Sequence, residues 1–237
     1  MDVFLWFVPL TGDMYHAIRA AVSARFAERC TFLAAVAHNL ATALLQTEIQ
    51  LMATARHAKN PDVVGLSLEQ IMQKYVARFA DRKPDWYAFE DARIEGFKRA
   101  QHRFIGAGAS GKHGDPDVIP AYGFTVTIMF VNPGQGNAAH THEHEEVFFV
   151  LDGFLDVFVE DENGRRVWSR LGKWDCISCP AGVIHGYENR SLEPVYFQVM
   201  HGRSKPQTMG YADDELFAKR DAHLKVAATG AAKPPTS

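Results

Sequence analysis

Apolar residues change their spacing near Phe104, and this change limits the folds open to the chain. Beyond that residue, apolar and polar side chains alternate in runs of strand length, as they do where one face of a strand is buried. These runs cover residues 124–131, 155–159 and 195–199. Since no helical pattern separates them, the sequence predicts an antiparallel sandwich or barrel rather than a parallel sheet. Asn163-Gly164 further predicts a type I′ hairpin.

The first hundred residues have the spacing of helices instead. Residues 13–57 are rich in Ala and free of Gly and Pro, which predicts one long helix or a helical hairpin. Ser67 and Gln70 form a capping box that predicts a second helix ending near Lys83. A short third helix is expected over residues 85–103. The sequence thus predicts a mainly β protein with an α-helical N-terminal extension.

These patterns divide the chain into four parts. They are a helical N-terminal extension (1–105), a Gly-rich linker or lid (106–120), a barrel (121–210), and a C-terminal helix with a tail (211–237). Met52 and Met72 leave open where the native product begins.

The Gly-rich segment imitates two nucleotide-binding motifs. Gly106, Gly108 and Gly111 have dinucleotide-fingerprint spacing, and the same loop nearly matches a phosphate-binding loop. Both motifs need a helix directly after the glycines, but Gly114 and Pro116 exclude one. We therefore expect no nucleotide here, and interpret the segment as a linker or a lid.

The composition argues against several classes of partner. With 25 Lys and Arg against 28 Asp and Glu, the chain has a net charge of −3 and lacks the basic excess that nucleic-acid binding needs. The opening apolar run, 3–10, is too short for a membrane helix and follows no basic residue. The apolar stretch 30–45 has helical spacing, which favours an amphipathic helix over a membrane anchor. The sequence predicts no membrane partner.

Cysteine usage indicates the compartment. Three cysteines are too few for a disulfide framework, which is typical of a cytoplasmic protein. Cys176 and Cys179 lie three apart on a predicted strand, so they face opposite sides and are too distant for a disulfide. We expect both to be core residues. We expect the barrel not to depend on the first fifty residues; the competing view is that the apolar stripe of the first helix is buried against the barrel or a second subunit. We also expect a homodimer or larger homo-oligomer.

Four residues predict a metal site. Side chains two apart on a strand share a face, so His140 and His142 can offer ring nitrogens to one point. A tight turn after His142 would return Glu146 to that point on the neighbouring strand. His185 follows a turn at the start of another strand. Three imidazoles and one carboxylate suit Fe, Mn, Ni, Cu or Zn, and leave two positions open in octahedral geometry.

The spacing of these residues resembles that of the conserved motifs of the cupin superfamily. The first cupin motif is matched by Gly134, His140, His142, Glu146 and Gly153, and the second by Pro180, Gly182, His185 and Asn189. One departure is that seven residues separate Gly172 from Pro180, where the pattern has five. The resemblance covers about residues 122–202. It implies a small jelly-roll barrel that holds one divalent metal on His140, His142, Glu146 and His185.

The resemblance also implies an activity. Many cupins with this ligand set are oxygenases, so we expect a metal-dependent dioxygenase that acts on a small aromatic or dicarbonyl substrate. Fe or Mn is favoured as the metal over Ni, Zn or Cu. Glu146 is expected to act in catalysis as well, by leaving the metal and accepting a proton. A non-redox isomerase or lyase and a non-enzymatic ligand-binding cupin remain open alternatives.

Further candidates surround the predicted site. Tyr187 is predicted to be catalytic because it shares strand parity with His185 and carries a hydroxyl group. His144 is expected at the turn, either beside the ligands or facing solvent. Gln198 and His201 are weaker polar candidates. Five aromatic residues are candidates for the pocket lining: Phe148, Trp168, Trp174, Tyr187 and Phe197.

Overall fold

The structure is a computed structural model that describes residues 11–54 and 57–228. It divides into two compact units, one ending at Leu66 and the other beginning at Ser67. The four-part division of the chain at residues 105, 120 and 210 stays a prediction.

The first unit is built on one continuous helix, α1 (Gly12–Thr54). The long-helix alternative is therefore the observed one, because no hairpin interrupts α1. Residues 11–47 are all exposed, including apolar side chains such as Phe26 and Leu44. Across the described ranges, no helix has both the length and the apolar character needed to cross a membrane.

The second unit contains ten strands and three short α-helices. In chain order they are α2 (Leu68–Tyr75), β1 (Ala100–Ile105), β2 (Thr125–Val131), β3 (His140–Thr141), β4 (Glu146–Asp152), β5 (Leu155–Glu160), β6 (Arg166–Leu171), β7 (Cys176–Cys179), β8 (Ile184–Glu188), β9 (Val195–His201), β10 (Gly210–Tyr211), α3 (Asp214–Lys219) and α4 (Ala222–Ala228). Single 3₁₀ turns cover Pro61–Val63 in the first unit, and Phe79–Asp81, Glu90–Arg93 and Gly108–Ser110 in the second.

Two antiparallel sheets of five strands form the second unit. Their strand orders are β1-β2-β9-β4-β7 and β10-β3-β8-β5-β6. Inward side chains of the two sheets meet in one core, where the Tyr187 ring lies 5.4 Å from that of Phe148 and 4.9 Å from that of Phe197. The predicted fold class, a mainly β jelly-roll barrel preceded by a helical segment, is confirmed.

The capping box is confirmed, but the helix behind it is shorter than predicted. The Ser67 hydroxyl accepts from the Gln70 amide at 3.2 Å, and the Gln70 side chain accepts from the Ser67 amide at 2.8 Å. The helix ends at Tyr75 instead of near Lys83, because Val76 is already extended.

The predicted third helix over residues 85–103 is wrong. That segment contains a 3₁₀ turn and then β1, which pairs with β2. Gln101 and His102 are buried in β1, so the strand lacks the alternation of apolar and polar residues that identifies its neighbours. In the sequence, buried polar residues of this kind give the same pattern as the polar residues of a solvent-exposed helix.

The hairpin between β5 and β6 is confirmed, but its turn type is not. The loop is closed by Asp161 and Arg165, whose backbones bond at 3.1 Å, and Gly164 has a φ of 80°. A type I′ turn would need a positive φ at Asn163 too, but among the described residues other than glycine only Trp174 has one. Instead, the side chain of Asp161 stabilises the loop, because its Oδ1 accepts hydrogen bonds from the Asn163 and Arg165 amides.

Candidate metal centre

Both sheets contribute to the cluster of predicted ligands. His140 on β3 lies directly opposite His185 on β8 in one sheet, and His142 follows β3 immediately. Glu146 is the first residue of β4, in the other sheet. On β4, Glu146, Phe148 and Val150 are buried in alternation with less buried residues, so strand parity points the carboxylate inward.

The four side chains converge closely. One ligand atom from each of His140, His142, Glu146 and His185 lies within 4.8 Å of the others. Glu146 Oε2 lies 2.7 Å from His185 Nε2, 3.2 Å from His142 Nε2 and 3.6 Å from His140 Nε2. All four residues are at most 5% exposed. The site is therefore dry, and its three imidazoles face one carboxylate oxygen.

Hydrogen bonds orient two of the rings for metal binding. His140 Nδ1 donates to the Ala138 carbonyl at 2.9 Å, and His185 Nδ1 donates to the Val183 carbonyl at 2.8 Å. Each bond commits Nδ1 as the donor and turns Nε2 toward the cluster. The Nε2 atoms of His140 and His142 are buried without a hydrogen-bond partner among the described residues. Buried, unsatisfied imidazole nitrogens beside a carboxylate fit a transition metal.

Burial and charge set the protonation states of the cluster. Burial lowers the pKa of His140 to about 4, which keeps this imidazole neutral. Burial alone would raise the pKa of Glu146, but the neighbouring imidazoles, first His142 and then His201, hold it well below its ordinary value. Burial would likewise lower the pKa of His185, but its hydrogen bond to Glu146 raises it. The carboxylate is thus ionised at neutral pH.

His201 is closer to the centre than the sequence indicated. It lies at the end of β9, directly opposite Glu146 on β4, and its Nε2 is 3.2 Å from Glu146 Oε1. It is 2% exposed, and burial lowers its pKa to about 3. His144 Nε2 makes a 3.1 Å hydrogen bond with His201 Nδ1, so His144 lies beside the cluster. The parity of β9, which turns Phe197, Val199 and His201 inward, was the signal available in the sequence.

Other sequence candidates lie in different surroundings. Tyr187 is buried in the aromatic core, where burial raises the pKa of its hydroxyl, and its catalytic role stays a prediction. Phe148 and Phe197 are buried around it, whereas Trp174 is 64% exposed and Trp168 half-buried. Gln198 lies on the outward parity of β9.

The cysteines and the Gly-rich loop also have clear positions. Cys179 is a buried free thiol, as expected, but Cys176 is exposed, which corrects its assignment to the core. Lys112 pairs with Asp85 at 2.7 Å, and the 3₁₀ turn Gly108–Ser110 in this loop is buried. No helix covers residues 112–124, directly after these glycines.

An ion pair that supports His140 was missed by the sequence reasoning. Asp91 and Arg99 are fully buried, with Oδ1 and Nη2 2.9 Å apart. Asp91 also accepts from the Tyr211 hydroxyl at 3.1 Å and, through Oδ2, from the Ala138 amide at 3.0 Å. Ala138 is the residue whose carbonyl orients His140. Nothing in the local sequence marks a pair that joins a 3₁₀ turn to the residue just before a strand.

Comparisons with known proteins agree with this arrangement. Residues 127–201 match the family described as the cupin domain. Over 50 residues the chain is 44% identical to an acireductone dioxygenase of Tuber melanosporum (strain Mel28). That match covers 20% of this chain and 28% of the relative, so the chain spans little more than a quarter of that protein's length.

The comparison with solved structures gives matches of low sequence identity, two of which are as follows. One is an uncharacterized conserved protein with a double-stranded beta-helix domain from Klebsiella pneumoniae subsp. pneumoniae MGH 78578, at 21% identity and a TM-score of 0.35, covering 39% of this chain and 79% of that one. The other is a deletion mutant of Bacillus subtilis oxalate decarboxylase, at 17% identity and a TM-score of 0.44. That match covers 66% of this chain and 36% of the other.

Proposed function

Because residues 127–201 of this chain are a cupin domain, we propose that the protein is a metal-dependent dioxygenase of the cupin type. The observation that carries the proposal is the buried cluster of three imidazoles and one carboxylate, in which three ring nitrogens lack a hydrogen-bond partner among the described residues. The name of the Tuber relative supports the choice of dioxygenase among cupin activities. The proposed substrate is a small dicarbonyl or aromatic compound.

The proposed centre takes its metal through Nε2 of His140, His142 and His185 and through the carboxylate of Glu146. Fe or Mn bound there supplies Lewis acidity and one-electron redox chemistry. The protein supplies a dry and oriented site, since the ligands are almost fully buried and two of the rings are fixed by backbone carbonyls.

The chain also offers a proton acceptor. Glu146 is ionised at neutral pH because the surrounding imidazoles hold its pKa low. We propose that the Glu146 carboxylate, when released from the metal, accepts the hydroxyl proton of an enol or phenol substrate, which would then bind as an anion. Aromatic side chains such as Phe148, whose ring lies 5.8 Å from that of His185, keep water from the reacting groups.

Oxygen consumption tests the proposal. Purified protein loaded with Fe or Mn is offered catechols, hydroxylated aromatic ketones, β-dicarbonyls and an acireductone in an oxygen electrode. We expect oxygen uptake with at least one of these substrates, and none after zinc substitution, because zinc has no redox chemistry. His140→Ala should remove uptake together with the metal. His113→Ala, which changes an exposed histidine in the Gly-rich segment, should change neither.

Two results would contradict the dioxygenase. Turnover that persists with zinc and without oxygen would identify a non-redox isomerase or lyase. Ligand binding without turnover under any metal would identify a ligand-binding cupin.

A further inference from the structure

The two oxygens of Glu146 have different surroundings. Oε2 faces the three imidazoles of the proposed ligand set, with His185 Nε2 the nearest at 2.7 Å. Oε1 faces His201 instead, whose Nε2 is 3.2 Å away. This contact is built into the sheet, because Glu146 on β4 and His201 on β9 are direct partners in the strand register. His201 is therefore held beside the outer oxygen by the backbone.

Counting ring protons fixes the direction of this contact. A carboxylate only accepts hydrogen bonds, so the donor across the 3.2 Å between Oε1 and His201 Nε2 is His201. His201 is buried, and an imidazole in its neutral form has one ring proton. Its Nδ1 is then an acceptor, and His144 Nε2, at 3.1 Å, must be the donor to it. His144 thus selects the tautomer in which His201 can hold Glu146.

Packing keeps the His201 ring in place. A Cβ added at Gly108 would lie 3.8 Å from His201 Cδ2, so the buried 3₁₀ turn Gly108–Ser110 lies close to the ring. Thr125, which is fully buried, is the partner of His201 on β2. A ring confined in this way can hold the carboxylate in one orientation.

We propose that His201 is a positioning residue that holds Glu146 Oε1 and so reserves Oε2 for the metal. This inference rests on the proposed metal centre. Without the contact from His201, the carboxylate could rotate or offer both oxygens, and the ligand set would be less well defined. Polar groups that orient metal ligands typically contribute 10- to 100-fold to metal affinity.

Two substitutions of His201 separate positioning from other roles. His201→Leu removes the donor, whereas His201→Gln keeps an amide N–H near the position of Nε2. Co²⁺ is used as the probe, its affinity is measured by competition with a chelator, and the visible absorption bands of the bound ion report the ligand geometry. His102→Leu removes another buried histidine, on β1, whose Nδ1 contacts the Ile128 carbonyl at 3.3 Å. It is the control for loss of a buried ring.

We expect every variant to bind one Co²⁺ per chain. His201→Leu should bind it 10- to 100-fold more weakly than the wild type, with shifted absorption bands. His201→Gln should recover most of the affinity and the wild-type bands, and His102→Leu should match the wild type. If His201→Leu fails to fold, the test uses His144→Leu, which removes the partly exposed hydrogen-bond partner of His201. We expect this variant to lose affinity for Co²⁺ as well, but by a smaller factor.

Three outcomes would overturn the inference. Wild-type affinity and bands in the folded His201→Leu protein would show that Glu146 needs no positioning. Complete loss of the ion in both His201 variants would make His201 a ligand. A wild-type protein that takes up no Co²⁺ would instead overturn the proposed metal centre itself, and this inference with it.

Discussion

Trp174 has a backbone conformation that normally belongs to glycine. Its φ is 75°, and it is the one residue other than glycine with a positive φ among the described residues. It also stands where the second cupin motif has Gly, with five residues between it and Pro180. The apparent displacement of that Gly to residue 172 is therefore a substitution: the turn before β7 is retained, and Trp174 accepts the strain.

Relief of this strain should stabilise the protein. A left-handed conformation costs a residue with a Cβ about 1–2 kcal/mol, part of which Gly loses through its freedom in the unfolded chain. Since the Trp174 side chain is largely exposed, its removal loses little packing. We expect Trp174→Gly to raise Tm by roughly 1–4 °C. Lys173→Gly, in the same turn but without a positive φ to relieve, should lower it; an equal drop in both variants would contradict this account.

The buried histidines should make the metal-free protein sensitive to acid. The pKa values of His140 and His201 are lowered by burial to about 4 and 3, whereas histidines of the unfolded chain titrate near 6.5. Below about pH 6.5 the unfolded chain binds protons that the folded chain does not, so the free energy of unfolding decreases as the pH is lowered. Glu146, whose pKa is lowered, adds to this loss below about pH 4.5.

His185 acts in the opposite direction. Its pKa is raised, so its contribution is present in acid and is lost as the pH rises through the folded-state value. Urea unfolding of the metal-free protein at pH 7, 6 and 5 measures the sum. We expect the free energy of unfolding to fall as the pH is lowered. Its dependence on pH should be shallower in His201→Gln, because this variant lacks the titration of His201. A slope that is unchanged in this variant would show that His201 is not buried in its neutral form.

At the scale of elements, the turns between strands depend on particular glycines. Gly153, between β4 and β5, has a φ of 84°, and a Cβ placed on it would lie 2.7 Å from the Pro194 carbonyl oxygen. Gly164, in the β5–β6 hairpin, has a similar φ of 80° but nothing within 4 Å of such a Cβ. Substitutions at these two glycines therefore separate the cost of backbone strain from the cost of steric overlap.

We expect Gly153→Ala to cost about 2–4 kcal/mol and Gly164→Ala only about 1 kcal/mol. Thermal unfolding of the two variants beside the wild type measures the difference. Equal costs would mean that the backbone near Pro194 moves freely away from the added methyl group.

The elements also explain which parts of the site could be predicted. His140, His142 and Glu146 lie close together in the sequence, so strand parity alone places them at one point. The contact of His201 with Glu146 depends on the register between β4 and β9, which distant residues set jointly. β1 was missed because Gln101 in the strand and Arg99 just before it are buried although they are polar, so the hydrophobic pattern is absent.

At the scale of the whole molecule, the second unit should fold and bind metal without the first. Both sheets, the core and all proposed ligands lie after Ser67. Deletion of residues 1–66 should leave a protein with a cooperative thermal transition and one bound metal per chain. Deletion of residues 1–105 should abolish both, because it removes β1 and the Arg99–Asp91 pair. A truncated 67–237 chain that aggregates would show that α1 is part of the barrel's stability.

The depth of the ligands determines how fast a bound ion can leave. With His140 and His185 each 1% exposed, a chelator cannot reach the metal until the barrel opens. Release is then paced by a motion of the protein and not by collisions with the chelator. In stopped-flow experiments on the Co²⁺-loaded protein, the release rate should become independent of chelator concentration. The same motion would then set an upper limit on how often the centre can exchange its ion for another in a mixture of metals.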